Sequence, residues 1–359
     1  MPSRRPTVLL VLAAALVVAT LALTGQPSMA TPSRQALSDR FLPGQTYTGK
    51  FPDPAIVVDG GRYYAFATNV GAVNLPAMRS SDMRSWIPRP ALKNWRRYSS
   101  WRQYNDAFPV GPKWAPNNPA THRQSFWGPS VRHMGNHWVF AYAVEKSYKL
   151  HRFCIGVATA SSPMGPYTNV SVKHPLQCDS NAARGSIGPF LFKDPDTGRN
   201  YLLWKGEGVK RVHPPHLRIR ELNSAGTHFA PGSRPHNLLK PDPTTWEQHN
   251  VEGAAMIQNS GKLYLFYAGN SWKTGGYATG YAICKTKFGP CRRVQRTPLL
   301  HSTGTVAGPG SADPFVDANG KLRLAYAAWD AGRVGNERKL HIATLAVGRN
   351  GRLSVSDVG

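Results

Sequence analysis

Asp53-Pro54-Ala55-Ile56-Val57-Val58, a Gly60-Gly61 turn and then Tyr63-Tyr64-Ala65-Phe66 form the stretch whose reading decides the fold. An acidic or small residue opens a short apolar run, glycine turns the chain, and an aromatic run returns. Two β-prone runs joined in this way read as a hairpin. The pattern recurs in order at Gly128-Pro129-Ser130-Val131 with Trp138-Val139-Phe140-Ala141-Tyr142, and at Gly188-Pro189-Phe190-Leu191-Phe192 with Tyr201-Leu202-Leu203-Trp204. It recurs again at Gly253-Ala254-Ala255-Met256-Ile257 with Leu263-Tyr264-Leu265-Phe266-Tyr267, and at Asp313-Pro314-Phe315-Val316 with Leu322-Arg323-Leu324-Ala325-Tyr326. Gly135, Gly198, Gly261 and Gly320 mark the later turns.

The anchors Asp53, Gly128, Gly188, Gly253 and Asp313 stand 75, 60, 65 and 60 residues apart. About sixty residues hold four short strands and their turns, the size of one propeller blade. Third strands are expected at Ser81–Trp86, Cys154–Thr159, Tyr277–Ala282 and Lys339–Thr344. A β-sandwich is the alternative, and it gives no reason for five copies in order. The expectation is an all-β, five-bladed β-propeller over residues 47–359. Trp86, Trp204, Trp246, Trp272 and Trp329 are expected between the blades.

Composition agrees. The 359 residues include 34 Gly and 30 Pro, too many breakers for a helical bundle or coiled coil. With 41% hydrophobic and 18% charged residues, the chain is neither disordered nor a polytopic membrane protein. Arg4 and Arg5, the apolar run Val8–Leu23 and Ser28-Met29-Ala30 read as a secretory signal, residues 1–30, cut after Ala30. An uncleaved anchor is the alternative. Residues 31–46 form a short linker. Export places the protein outside the cell, where four cysteines pair. Cys154–Cys178 and Cys284–Cys291 are favoured because each closes a local loop, with free buried thiols as the alternative.

The charge is +25, from 44 Lys+Arg against 19 Asp+Glu, and +23 remains once Arg4 and Arg5 are removed. The basic residues are scattered and no nucleic-acid recognition motif is present, so nucleic acid is not the expected partner. Electrostatic association with anionic cell-wall polymers suits an exported basic protein better. His213-Pro214-Pro215-His216 lacks a third ligand and reads as a loop; no metal is expected.

The first strand of each propeller blade lines the central channel, so strand starts converge there. That brings together Asp53, Glu252 and Asp313. Glu252 is the most informative, because a carboxylate between Val251 and Gly253-Ala254-Ala255-Met256 has to be buried for a reason. Asp53-Pro54 and Asp313-Pro314, taken singly, also fit turns that start strands. Two carboxylates on separate strands facing one pocket suit glycoside hydrolysis.

Phe51-Pro52-Asp53-Pro54-Ala55-Ile56, Ser81–Trp86, Trp127-Gly128-Pro129-Ser130-Val131, Ala158–Tyr167 and Val251-Glu252-Gly253 together resemble glycoside hydrolase family 43, over about residues 47–355. The resemblance implies an inverting enzyme acting on arabinose- or xylose-containing polysaccharides, with Asp53 as general base and Glu252 as general acid. It implies no organic cofactor. The sequence departs from the family twice. Ser186-Ile187-Gly188-Pro189 lacks the family's third carboxylate, and Ser311 follows Gly308-Pro309-Gly310 where many members have histidine. Asp313 is expected to take over part of the missing carboxylate's work.

Residues 88–126 exceed a blade connection and carry Trp95, Trp101, Tyr104 and Trp114 among Arg96, Arg97 and Arg102. They are expected to form a loop at the channel mouth, with Trp127 deeper as a sugar-stacking residue; ordinary loop packing is the alternative. The expected protein is a secreted, monomeric glycosidase of arabinofuranosidase, xylosidase or endo-arabinanase type. A catalytically silent, lectin-like glycan-binding propeller is the rival, and a charge-driven cell-wall adhesin a weaker one.

Overall fold

The computed structural model describes residues 46–89, 106–179, 185–209 and 212–357. The expected signal, and the linker except for Thr46, lie outside the described residues, as do Trp95, Arg96, Arg97, Trp101, Arg102 and Tyr104.

Among the described residues twenty strands form five four-stranded antiparallel sheets, each a consecutive meander. Blade one holds β1 (Ala55–Asp59), β2 (Arg62–Phe66), β3 (Ala77–Ser80) and β4 (Ile87–Pro88). Blade two holds β5 (Phe126–Met134), β6 (His137–Ser147), β7 (Arg152–Ala160) and β8 (Thr168–Asn169). Blade three holds β9 (Ser186–Lys193), β10 (Asn200–Gly206), β11 (His216–Leu222) and β12 (His236–Leu239). Blade four holds β13 (Val251–Asn259), β14 (Lys262–Gly269), β15 (Ala278–Cys284) and β16 (Cys291–Arg293). Blade five holds β17 (Val306–Val316), β18 (Leu322–Asp330), β19 (Lys339–Val347) and β20 (Leu353–Ser356). No helix occurs among the described residues.

The first strands β1, β5, β9, β13 and β17 touch in sequence, and β17 returns to β1. This makes the fold a five-bladed propeller, as the repeat predicts. Apolar clusters fill the seams between blades. Phe126 and Phe140 pack with Phe66 between blades one and two, and Phe315 and Ile342 pack with Ile56 and Tyr63 between blades five and one. Trp204 and Trp329 are buried, and Trp246 stacks on Tyr267.

Two of the expected positions shift. The third strand of blade one is Ala77–Ser80, not Ser81–Trp86. Asp82 Oδ1 accepts N–H bonds from Arg84 at 2.8 Å and from Ser85 at 2.8 Å, which folds those residues into a turn. In blade five the counterpart of Asp53 is Ser311, not Asp313. Asp53, Gly128, Gly188, Gly253 and Ser311 share a left-handed backbone, with φ of 52°, 52°, 58°, 59° and 54°. Asp313 pairs with Ala325 as Ala55 pairs with Phe66, which places it two residues further along the strand. Both positions sit at one break in the β17–β18 register, between Gly310 and Asp313, and a bulge shifts residues by an amount that the repeat alone did not reveal.

The segment expected at the channel mouth is, where described, woven into the seam between blades one and two. Ala107 and Phe108 are core residues, buried Asp106 accepts the Leu75 N–H at 2.9 Å, and Trp114 donates its indole N–H to the Ser171 carbonyl at 2.7 Å.

Both expected disulfides are present. Cys154–Cys178 ties β7 of blade two to the segment that leads to blade three, and Cys284–Cys291 closes the β15–β16 hairpin across one residue pair. Each bridge stabilises by about 2–4 kcal/mol.

Asp313 closes the ring. Its Oδ2 accepts the Ile56 N–H of blade one at 2.6 Å, and its Oδ1 accepts from Arg132 Nη2 of blade two at 2.8 Å. Arg132 also donates to the Ile56 carbonyl at 3.2 Å. Burial raises the Asp313 carboxyl above its ordinary range, against the Arg132 charge and the Ile56 N–H. Breaking a buried pair by removing one partner costs about 3–5 kcal/mol, because the other charge is stranded. Arg132→Met is therefore expected to destabilise the protein by about that amount in urea unfolding, and adding Asp313→Asn to recover part of the loss.

Candidate active site

A cavity of about 610 Å³ opens at the centre and is lined by residues of all five inner strands. That volume is in the range of small-ligand sites. Asp53, Trp127, Glu252 and Asp313 all line it, so the structure brings these four sequence-predicted residues to one cavity.

Local backbone geometry explains how. The β5–β6 register breaks between Trp127 and Ser130, and the β13–β14 register breaks between Glu252 and Ala255. Each break contains a left-handed glycine, Gly128 or Gly253. Such bulges re-aim the neighbouring side chain, here Trp127 and Glu252. In blade one the left-handed residue itself, Asp53, carries the functional group.

Asp53 is firmly held. Its Oδ2 accepts from Thr68 Oγ1 at 2.6 Å and its Oδ1 from Arg338 Nη2 at 2.8 Å. Thr68 Oγ1 in turn accepts the Gly128 N–H at 2.8 Å, which fixes this group to blade two. Burial works to raise the Asp53 carboxyl, but the Arg338 guanidinium and the Thr68 and Ser311 hydroxyls outweigh it and hold it below the ordinary aspartate range. Asp53 is therefore an ionised carboxylate at neutral pH, the form that accepts a proton.

Glu252 has a different environment. Lys205 Nζ lies 3.1 Å from its Oε2 and 3.2 Å from Glu207 Oε2. Desolvation works to lower the buried Lys205 ammonium, and the charges of Glu252 and Glu207 outweigh it, so the ammonium stays protonated. Tyr277 shares a hydrogen bond with Ser311 Oγ at 3.2 Å. Burial, the Glu252 charge and the Asp53 charge push its hydroxyl well up, so Tyr277 is a neutral donor beside both carboxylates.

Asp313 also lines the cavity, yet both its oxygens face the blade-five closure, to Ile56 and Arg132. At Gly188 a Cβ would meet Gly253 N at 3.7 Å, an ordinary contact, but the φ of 58° is one that other residues rarely adopt.

Trp127 is 38% exposed, with one face stacked on Phe153 at 4.3 Å. Trp272 corrects an expectation. It is 41% exposed on the cavity rather than buried between blades, because the turn after β14 carries it out beside Lys273 and Arg338. Aromatic faces beside carboxylates suit sugar rings, whose C–H faces stack on them while their hydroxyls bond to the polar groups.

Sequence reading missed Arg338, Thr68, Lys205 and Tyr277. Lys205 alone carried a signal, a charge directly after the apolar run Tyr201-Leu202-Leu203-Trp204. Among the described residues no group of three or more His, Cys, Asp and Glu side chains is placed to hold a metal.

The family model for glycosyl hydrolases family 43 matches residues 46–352. The crystal structure of a thermostable family-43 glycoside hydrolase superposes with a TM-score of 0.68 at 23% identity, covering 86% of this chain and 93% of that one. An endo-1,4-beta-xylanase from Bacteroides thetaiotaomicron VPI-5482 gives 0.68 at 21% identity, covering 88% and 96%. The alpha-L-arabinanase of Cellvibrio cellulosa, complexed with arabinohexaose, gives 0.65 at 18%, covering 87% and 96%. At such identities these structures attest the fold. A curated relative, "Putative beta-xylosidase" of Xylanibacter ruminicola, is 24% identical over 270 residues; the match takes in 74% of this chain and 42% of the relative.

Arg338→Met removes the cation that holds Asp53. A carboxylate whose folded-state value is lowered contributes stability that is present above its unfolded-state value and lost as pH falls through the folded one. The variant is expected to be about 3 kcal/mol less stable at neutral pH, with the difference shrinking through the acidic range as Asp53 protonates in both proteins. Urea unfolding at a series of pH values measures this.

Proposed function

The chain belongs to glycosyl hydrolases family 43, and on that premise we propose that it is a secreted glycosidase that hydrolyses arabinose- or xylose-containing polysaccharides with inversion. The observation that carries the reading is the pair of unlike carboxylates in one cavity: Asp53, held ionised by Arg338, and Glu252 on the inner strand three blades further on.

In this mechanism Asp53 accepts a proton from a water as its oxygen attacks the anomeric carbon. Glu252 gives its proton to the departing glycosidic oxygen. The bond from the anomeric carbon to the leaving oxygen breaks as the bond to water forms on the opposite face, so the configuration inverts. Trp127 and Trp272 supply stacking faces, and Tyr277 a hydrogen-bond donor between the two carboxylates. Two carboxylates suffice for this reaction, so no organic cofactor is invoked. The signal-like N-terminus and the two disulfides support export.

Two observations favour a second reading, a glycan-binding propeller without turnover. Glu252 is ion-paired to a buried ammonium, and Gly188 supplies no third carboxylate.

The test is hydrolysis of aryl α-L-arabinofuranosides, aryl β-D-xylosides, arabinan and xylan, with proton NMR identifying the first anomer released. Turnover with an inverted anomer is expected. Asp53→Asn should lose about 10²–10⁴-fold on every substrate. Glu252→Gln should lose as much on polysaccharide but far less on aryl glycosides with acidic phenols, which leave without protonation. Sugar binding without turnover on any substrate would favour the second reading.

A further inference from the structure

Lys205 is 4% exposed, at the end of a strand whose every residue is buried. A buried ammonium needs partners, and both of its partners are carboxylates: Glu207, two residues on, and Glu252 of the next blade. Lys205 pairs across β9 with Ile187, the residue before Gly188. A cation thus reaches Glu252 from the blade whose own inner strand offers only glycine there.

We propose that Lys205 is a positioning residue for Glu252, and that Glu207, by sharing the ammonium, sets how readily Glu252 carries a proton. The proposal rests on the reading of Glu252 as general acid. An ammonium has three N–H donors on a flexible stem, so it serves two carboxylates at once. When Glu252 is protonated, Lys205 keeps Glu207 as its counter-ion and is not stranded. When Glu252 has passed its proton to the leaving oxygen, the new carboxylate finds the ammonium already in place. Charge that develops during the reaction therefore meets a preorganised partner.

The other groups that face Glu252 keep a constant charge near neutral pH. Tyr277 and Arg338 are held above their ordinary, already high values, and Asp53 lies below the ordinary aspartate range. Among the described residues, Glu207 is the remaining carboxylate bonded to the same ammonium.

The experiment compares wild type, Lys205→Met and Glu207→Gln by two readouts. The alkaline limb of kcat/KM against pH should move up by about 1–3 units in Lys205→Met, where the cation is gone. It should move down in Glu207→Gln, where Glu252 has the whole ammonium. The side-chain carboxyl ¹³C resonance of Glu252, identified by its loss in Glu252→Gln, should titrate with the same two opposite shifts. That readout needs no turnover, so it separates failure of this proposal from failure of the glycosidase reading. If Lys205→Met does not fold, Glu207→Gln alone still decides through its downward shift. An unmoved Glu252 titration in the variants, or shifts in the same direction, would overturn the proposal.

Discussion

Bringing five sheets around one axis forces their inner strands together, and the rest of the structure depends on how the backbone meets that constraint. Where the blades meet around the cavity, one residue of each, in or just before its inner strand, lies in the left-handed region: Asp53, Gly128, Gly188, Gly253 and Ser311. A Cβ on Gly128 would stand 3.3 Å from the Gly188 Cα, and one on Gly253 would stand 3.4 Å from the Ser311 Cα. Positive φ at all three, with close approach tightest at Gly128, favours glycine at three of the five positions. Asp53 and Ser311 are the two exceptions. They are neighbours across the blade-five to blade-one closure, where the Thr46 N–H bonds the Leu340 carbonyl at 3.0 Å and the Phe51 N–H bonds the Arg338 carbonyl at 2.8 Å. Function enters the ring where the backbone admits a side chain.

The same geometry governs the electrostatics. Each cavity carboxylate is paired with a cation from a different blade: Asp53 with Arg338 of blade five, Glu252 with Lys205 of blade three, and Asp313 with Arg132 of blade two. Charges removed from water need such partners, and pairs that cross blades make the cavity and the ring closure interdependent. The outcomes differ because the surroundings differ. Asp53 has a guanidinium and two hydroxyls and is held ionised, while burial prevails at Asp313, whose carboxyl lies above its ordinary range. Glu252 shares its cation with a second carboxylate.

Much of this was legible in the chain itself. The hairpin repeat, the turn glycines and the spacing of about sixty residues reflect local backbone preferences, so the five blades and the local disulfides were readable. Asp53 and Glu252 stood out because a carboxylate at the start of a buried run contradicts its neighbours. Asp313 stood out on the same ground, but its partners, Ile56 and Arg132, are 257 and 181 residues away and leave no local trace. Trp272 was misjudged because an aromatic after an aromatic strand reads the same whether it turns into a seam or out to a cavity.

The sequence by itself determined that the chain builds five similar β units, which residues turn between strands, and which carboxylates sit at strand starts. These follow from interactions within about ten residues. Tertiary structure alone decided the cations that partner the carboxylates, the two-residue offset of Asp313 from the ring of left-handed residues, and the placing of Tyr277 beside both Asp53 and Glu252. Charge pairing and the direction of a side chain in a bulged strand depend on which distant segments the ring brings into contact, and no local pattern records that.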